Sequence, residues 1–170
     1  MTQASQLLVD AWRQHQAGKV SVAEGHYRRV LRTNPNDGNA WWYLGIACHD
    51  QGRFEEAVAA YDKAIQLVSD SPALHNNLGN TLRALKRVDE SIDSFRRALQ
   101  LKSDYAIAHM NLGVTFLLNG DFAQGWPEYR WRWQTNNFAL RPGPESLWDG
   151  SSLDGRTILL TPEQGFGDTL

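Results

Sequence analysis

The chain has 170 residues, 42% of them hydrophobic and 21% charged, with a formal net charge of −2. That length suits one domain, or one domain and part of a second, and the near balance of charge gives no electrostatic reason to expect nucleic acid or an acidic membrane as partner. No apolar run approaches the roughly 18 residues of a membrane span, and the single cysteine, Cys48, excludes an intramolecular disulfide and offers no metal-ligand spacing.

The opening residues lack a basic start followed by a continuous apolar core, so they do not read as a secretion signal, and a cytoplasmic location is expected. The first expected helices cover 4–17 and 21–33. Pairs of similar length follow at 38–50 and 54–67, at 72–84 and 88–101, and at 106–118 and 122–134. The pairs repeat with a period of 34: Gly45, Gly79 and Gly113 keep that step, each behind a leucine, and so do Tyr27, Tyr61, Phe95 and Tyr129. Ala23, Ala57, Ser91 and Gly125, all small, recur in the same way. Within the second unit, Trp41, Leu44, Gly45 and Cys48 stand at i, i+3, i+4 and i+7, one face of a helix. The glycine lets the paired helices approach, and Tyr61 fills the space beside it. One hairpin cannot bury both of its faces, so neighbouring units must stack on it.

Period and alternation together resemble the tetratricopeptide repeat. The expected fold is therefore all-α, a right-handed α-solenoid of four helical hairpins over residues 1–134, with repeats at about 4–37, 38–71, 72–105 and 106–137. Ser71 and Asp121 are expected N-caps, with Pro72 in the first turn of its helix. Pro127, several residues inside the last helix, is expected to kink that helix or delay its start to about residue 125.

The first helices of such a solenoid line its concave side. Counting outward from the packing positions gives a candidate groove of Asn39, Trp42, Tyr43, His49, Asn76, Asn77, Asn80, Arg83, Met110, Asn111 and Val114. An Asn side chain both donates and accepts, so Asn77 and Asn111, one repeat apart, could hold the backbone of an extended peptide; the bland alternative is solvated Asn, or Asn bonded within the repeat. A protein or extended peptide is the expected partner. The helix at 106–118 is apolar on nearly every side and calls for cover, from the tail, a further domain or a partner. His75 and His109 recur at the repeat period, but stacked units hold such positions too far apart for a shared metal, so core packing is expected. No cofactor, metal, nucleic-acid or membrane partner is expected. Tyr129-Arg130-Trp131-Arg132-Trp133 could stack bases, yet it lies where a capping or domain contact is needed.

After residue 134 the period stops. Residues 135–156, rich in Pro, Gly, Ser and Asn, read as a linker. Thr157 to Thr161 read as a buried strand entering the glycine-bearing loop Gly165-Phe166-Gly167-Asp168, the way a Rossmann-like half begins, so 157–170 are expected to be a truncated α/β stub. Asn-Asn-Leu-Gly at 76–79 and Asn-Leu-Gly at 111–113 look like the amide-lined superhelix of the peptide O-GlcNAc transferase family. Gly125-Trp126, the Tyr129–Trp133 run, Leu147-Trp148-Asp149-Gly150 and Glu163-Gln164-Gly165-Phe166-Gly167-Asp168 resemble a bacterial architecture in which such repeats lead into a GT-B-like, heptosyltransferase-like glycosyltransferase. By that resemblance Asp168 would be the acceptor-activating base of a longer chain, with these residues as its acceptor-presenting start. Nothing else needed for catalysis is within the 170 residues, which are not expected to act as an enzyme alone.

Overall fold

A computed structural model describes residues 3–68 and 70–135. The chain divides after Arg132 into two units, of which the first contains all the helices described below. They are α1 (Gln3–Gln16), α2 (Val20–Thr33), α3 (Gly38–Asp50), α4 (Phe54–Leu67), α5 (Pro72–Ala84), α6 (Val88–Leu101), α7 (Ala106–Leu118) and α8 (Phe122–Tyr129). They pack as four antiparallel hairpins, α1/α2 to α7/α8, and no strand occurs among the described residues. The architecture is an all-α solenoid. The expected strand at 157–161, the linker, the glycine-bearing loop and Asp168 lie outside the described residues.

Each hairpin is closed by the same turn. The last residues of α3 show the pattern: the Gly52 N–H bonds the His49 carbonyl at 2.8 Å, and the Arg53 N–H bonds the Cys48 carbonyl at 2.9 Å. These are the two bonds of a Schellman motif, which needs a left-handed residue just past the helix. Gly18, Gly52 and Gly120 supply it with φ of 78°, 74° and 81°, and in the third hairpin Lys86 does so at φ 60°.

Close approach within a hairpin depends on the period-34 glycines. A Cβ on Gly45 would lie 2.5 Å from the Tyr61 ring, and one on Gly79 2.7 Å from the Phe95 ring. Tyr27, Tyr61 and Phe95 are accordingly buried to 1% exposure or less, filling the space that the small residues leave. In the fourth hairpin the glycine admits backbone: a Cβ on Gly113 would lie 2.4 Å from the Tyr129 nitrogen. Ser91 shows what a small polar residue does at such a position, since its buried hydroxyl donates to the Gly79 carbonyl at 2.8 Å.

Hairpin stacks on hairpin through second-to-first contacts, α2 on α3, α4 on α5 and α6 on α7, while α1, α3, α5 and α7 also touch in succession. That succession of first helices makes a single continuous face. Three expectations about local structure need correction. Ser71 occupies the N-cap position of α5, but its hydroxyl makes no capping bond, whereas Asp121 does cap α8, accepting from the Gln124 N–H at 3.0 Å. With that cap, α8 starts at Phe122 and not near 125. Pro127 acts at the other end: it cannot bond the Ala123 carbonyl, and the helix tightens into a 3-10 segment at Arg130–Gln134 instead of continuing as one α-helix to 134.

Candidate functional site

The candidate groove residues all fall on α3, α5 and α7, the middle and end of the first-helix face. On α3, Asn39 is exposed, while Trp42 and Tyr43 are half-buried. Tyr43 stacks on Trp12 at 5.1 Å between centroids and on Trp42 at 6.2 Å, so three rings form an aromatic ladder at this end of the face. Beneath it the His15 Nε2 meets Asp50 Oδ2 at 2.8 Å, which fixes the carboxylate of Asp50 at the edge of the next hairpin. The indole Nε1 of Trp42 is buried with no hydrogen-bond partner among the described residues.

Further along, His49 Nδ1 lies 2.8 Å from Thr81 Oγ1, and that hydroxyl donates to the Asn77 carbonyl at 3.0 Å. A hydroxyl has one proton. With that proton on the carbonyl, the Thr81 hydroxyl is left to accept from His49 Nδ1–H.

The asparagines divide into two kinds. Asn76 and Asn111 are buried, at 4% and 8% exposure, and the Asn111 amide donates to Asn76 Oδ1 at 3.0 Å. They join α5 to α7 and spend part of their amide capacity on each other. Asn77 and Asn80 are half-buried on the face itself. Met110 and Val114 of α7 are half-buried beside them, so the face turns apolar toward the fourth hairpin.

Arg83, in the last turn of α5, crosses to α7. Its Nη1 donates to the Asn111 carbonyl at 3.1 Å and its Nη2 to Asn80 Oδ1 at 3.0 Å, with the Phe95 ring 5.9 Å below the guanidinium. His49, Phe54, Asn80, Arg83, Ala84 and Asn111 enclose a cleft of about 570 Å³. Phe54 lines this cleft and the buried hydroxyls of Thr81 and Thr115 bond His49 and Arg83 from behind it, although the groove positions read from the sequence omit all three. The threonines carried a readable signal, since a Thr in a helix can bond the carbonyl four residues back, as Thr115 does to Asn111 at 2.8 Å. Phe54 opens a second helix and carried none.

A second cleft, of about 550 Å³, lies between α2, α3 and α4, away from the first-helix face, with Leu31, Trp41, Leu44 and Cys48 in its wall. Burial pushes the Cys48 thiol up, which leaves little thiolate for reaction. No cluster of metal-ligating side chains occurs among the described residues. His75 is buried and bonded to Asp70 Oδ1 at 3.2 Å, and His109 bonds Glu128 and stacks on Trp131 at 4.0 Å. Arg132 lies 4.5 Å over the Tyr129 ring, so the aromatic-basic run makes contacts within the fourth hairpin.

The tetratricopeptide repeat family model matches residues 11–72, and a second TPR repeat model matches 79–120. These hairpins are tetratricopeptide repeats. Among solved structures, MamA superposes with a TM-score of 0.67 at 23% identity, over 74% of this chain and 74% of that one. YrrB, a TPR protein with an unusual peptide-binding site, superposes with a TM-score of 0.66 at 16% identity, over 76% of this chain and 67% of that one. At those identities the likeness speaks for the fold alone. A point mutant of the Thermobaculum terrenum O-GlcNAc transferase matches with a TM-score of 0.64 at 31% identity, over 68% of this chain and 23% of that one. The human protein O-mannosyl-transferase TMTC1 is 39% identical over 61 residues, 36% of this chain but only 7% of its own length. The matched segment of this TPR chain is thus a small part of that relative.

Proposed function

We propose that the TPR chain is a protein-interaction scaffold whose first-helix face binds an extended segment of a partner protein. The observation that carries this reading is the continuous face of α3, α5 and α7, which carries half-buried Trp42, Tyr43, Asn77, Met110 and Val114 and a polar cleft lined by His49, Asn80 and Arg83. Amides at helix positions facing an open groove can satisfy the N–H and C=O of an extended strand, each bond contributing roughly 0.5–1.5 kcal/mol net. Asn77 serves this purpose best, because Asn76 and Asn111 are already bonded to each other and the Asn80 Oδ1 accepts from Arg83. YrrB, which shares the fold, has a peptide-binding site, and this supports the same use here. Asn39, exposed at the start of α3, marks where the segment would leave the face.

The test is retention of a random peptide library by the purified chain. Exchanging Asn77→Ala should lower retention roughly fivefold while leaving the thermal midpoint nearly unchanged. Undiminished retention in this variant would remove Asn77 from the binding site.

A second reading makes these repeats the acceptor-presenting part of a glycosyltransferase. The 31% identity to the repeats of an O-GlcNAc transferase favours it, as does the similarity to an O-mannosyl-transferase. In that reading Asp168 takes the role of base in a catalytic domain that docks on the apolar fourth repeat, where Leu118, Phe122 and Trp126 are more than half exposed. An open reading frame running several hundred residues past Leu170 is the expected result; a stop codon directly after it would count against this reading. One buried thiol and no cystine suit a reducing compartment, and the cytoplasm is the compartment we assign.

A further inference from the structure

Arg83 differs from most arginines of the solenoid in having no counter-ion among the described residues. Arg13, Arg28, Arg53, Arg87, Arg96 and Arg97 each lie within ion-pair distance of a carboxylate. Around Arg83 the partners are neutral: the Asn111 carbonyl, Asn80 Oδ1, and Thr115 Oγ1 at 3.5 Å. Burial alone acts on its basicity, pulling it below the ordinary guanidinium range, with no acid nearby to raise it. The group nevertheless stays charged at any physiological pH.

A cation taken out of water without an opposite charge destabilises the fold, and a carboxylate brought to it relieves that cost. Of the five N–H donors of a guanidinium, three are engaged, which leaves two for a ligand. Two donors on one planar group are what a carboxylate accepts in bidentate fashion. The other residues round the cleft, His49, Phe54, Asn80, Ala84 and Asn111, bring no negative charge. Asp50, the acid next to His49 in sequence, is held by His15.

The position of the cleft selects the source of the carboxylate. It lies by the C-terminal ends of α3 and α5, so along the stack of hairpins α3, with the Trp42 and Tyr43 ladder, precedes it and α7, with Met110 and Val114, follows. A segment bound along the face continues in both directions past Arg83, so the carboxylate belongs to a side chain inside the segment and not to its end.

We infer that the cleft is the specificity pocket of the groove and takes an Asp or Glu side chain of the bound peptide onto Arg83. The inference rests on the peptide-binding reading given above. It is tested by incubating the immobilised 170-residue chain with a random decapeptide library, acetylated and amidated at its ends, and sequencing the retained fraction. The expected result is enrichment of acidic residues about tenfold at one peptide position.

Two variants separate the pocket from the fold. Arg83→Gln removes the charge. Asn80→Asp, nearly isosteric, places a carboxylate where Arg83 already donates, so it should raise the thermal midpoint while abolishing acidic selection. Peptides that either variant retains should lack the acidic preference. Retention without acidic preference by the wild-type chain overturns the pocket and leaves the groove standing. Equal preference in Asn80→Asp also overturns it, as does selection seen only when peptide C-termini are left free, which would place the carboxylate at the chain end. Retention of no peptide at all overturns the groove reading, and the pocket with it.

Discussion

Lys86 stands where the other three hairpins place glycine, and its backbone adopts the same left-handed conformation, φ 60°. For a residue with a Cβ that conformation costs roughly 1–2 kcal/mol, and the Schellman bonds of the third turn hold it there. Lys86→Gly removes the strain but adds freedom to the unfolded chain, an opposing effect of roughly 0.4–1 kcal/mol. The expected balance is a gain of roughly 0.5 kcal/mol, read as a higher urea midpoint at unchanged slope. A lower midpoint would show that the turn is not strained. At the residue scale the sequence was most legible where a residue type has one mechanical use. Gly45 beside Tyr61 and Gly79 beside Phe95 could be paired from their spacing alone, because a ring filling the space beside a missing side chain leaves little choice. The amides were less legible. Asn76 and Asn77 are adjacent and chemically identical, yet one is buried against Asn111 and the other is half-buried on the face, a difference set by helix rotation of about 100° per residue. Arg83 was placed on the face by its position, while its lack of an acid depends on what α3, α4 and α7 bring near it.

Helix boundaries followed the expected spans closely through α7, since each is bounded by a turn residue and a period-34 neighbour. The departure is α8. Its cap, Asp121, was readable, and the reach of Pro127 was not, because a cap that starts the helix at Phe122 moves the disruption downstream. Between elements a charged junction joins α2 to the start of α4. Glu24 is 12% exposed and pairs with Arg28 and Arg53. Burial works to raise its carboxyl, but hydrogen bonds from Arg53, Gln51 and Arg28 outweigh burial and hold it at about 2. A carboxyl whose folded value is depressed contributes stability above its unfolded value, here 4.5, and loses that contribution as pH falls toward 2. The arginines are partly exposed, so screening keeps the contribution to roughly 1 kcal/mol. Glu24→Gln should therefore lower the thermal midpoint at pH 7 by a few degrees, with the difference from wild type closing by about pH 2. A gap that persisted at low pH would assign the effect to packing.

The described residues are built by repetition, which is why their architecture was readable: a period counted along the chain becomes a stacking step in space. The partner is not readable in the same way, because repetition fixes where a face runs and leaves its lining free to vary. From the linker-like composition of 135–156 and the unit boundary after Arg132, limited proteolysis should cut within 135–156 and leave a folded core ending near residue 134. Protection of that stretch would count against the linker reading.

The side-chain bonds that tie one hairpin to the next, His15 to Asp50, Glu24 to Gln51, His49 to Thr81 and Asn76 to Asn111, all join residues 27–35 apart in sequence. None of these bonds reaches past the adjacent hairpin. Among the described residues none of these bonds clasps distant hairpins together, so under tension the solenoid gives way at whichever junction is weakest. It would lengthen in steps, each releasing one 34-residue hairpin and on the order of 110 Å of contour. The same arrangement lets one hairpin open and close while its neighbours stay folded, so the solenoid behaves as a spring of discrete coils more than as a rigid rod.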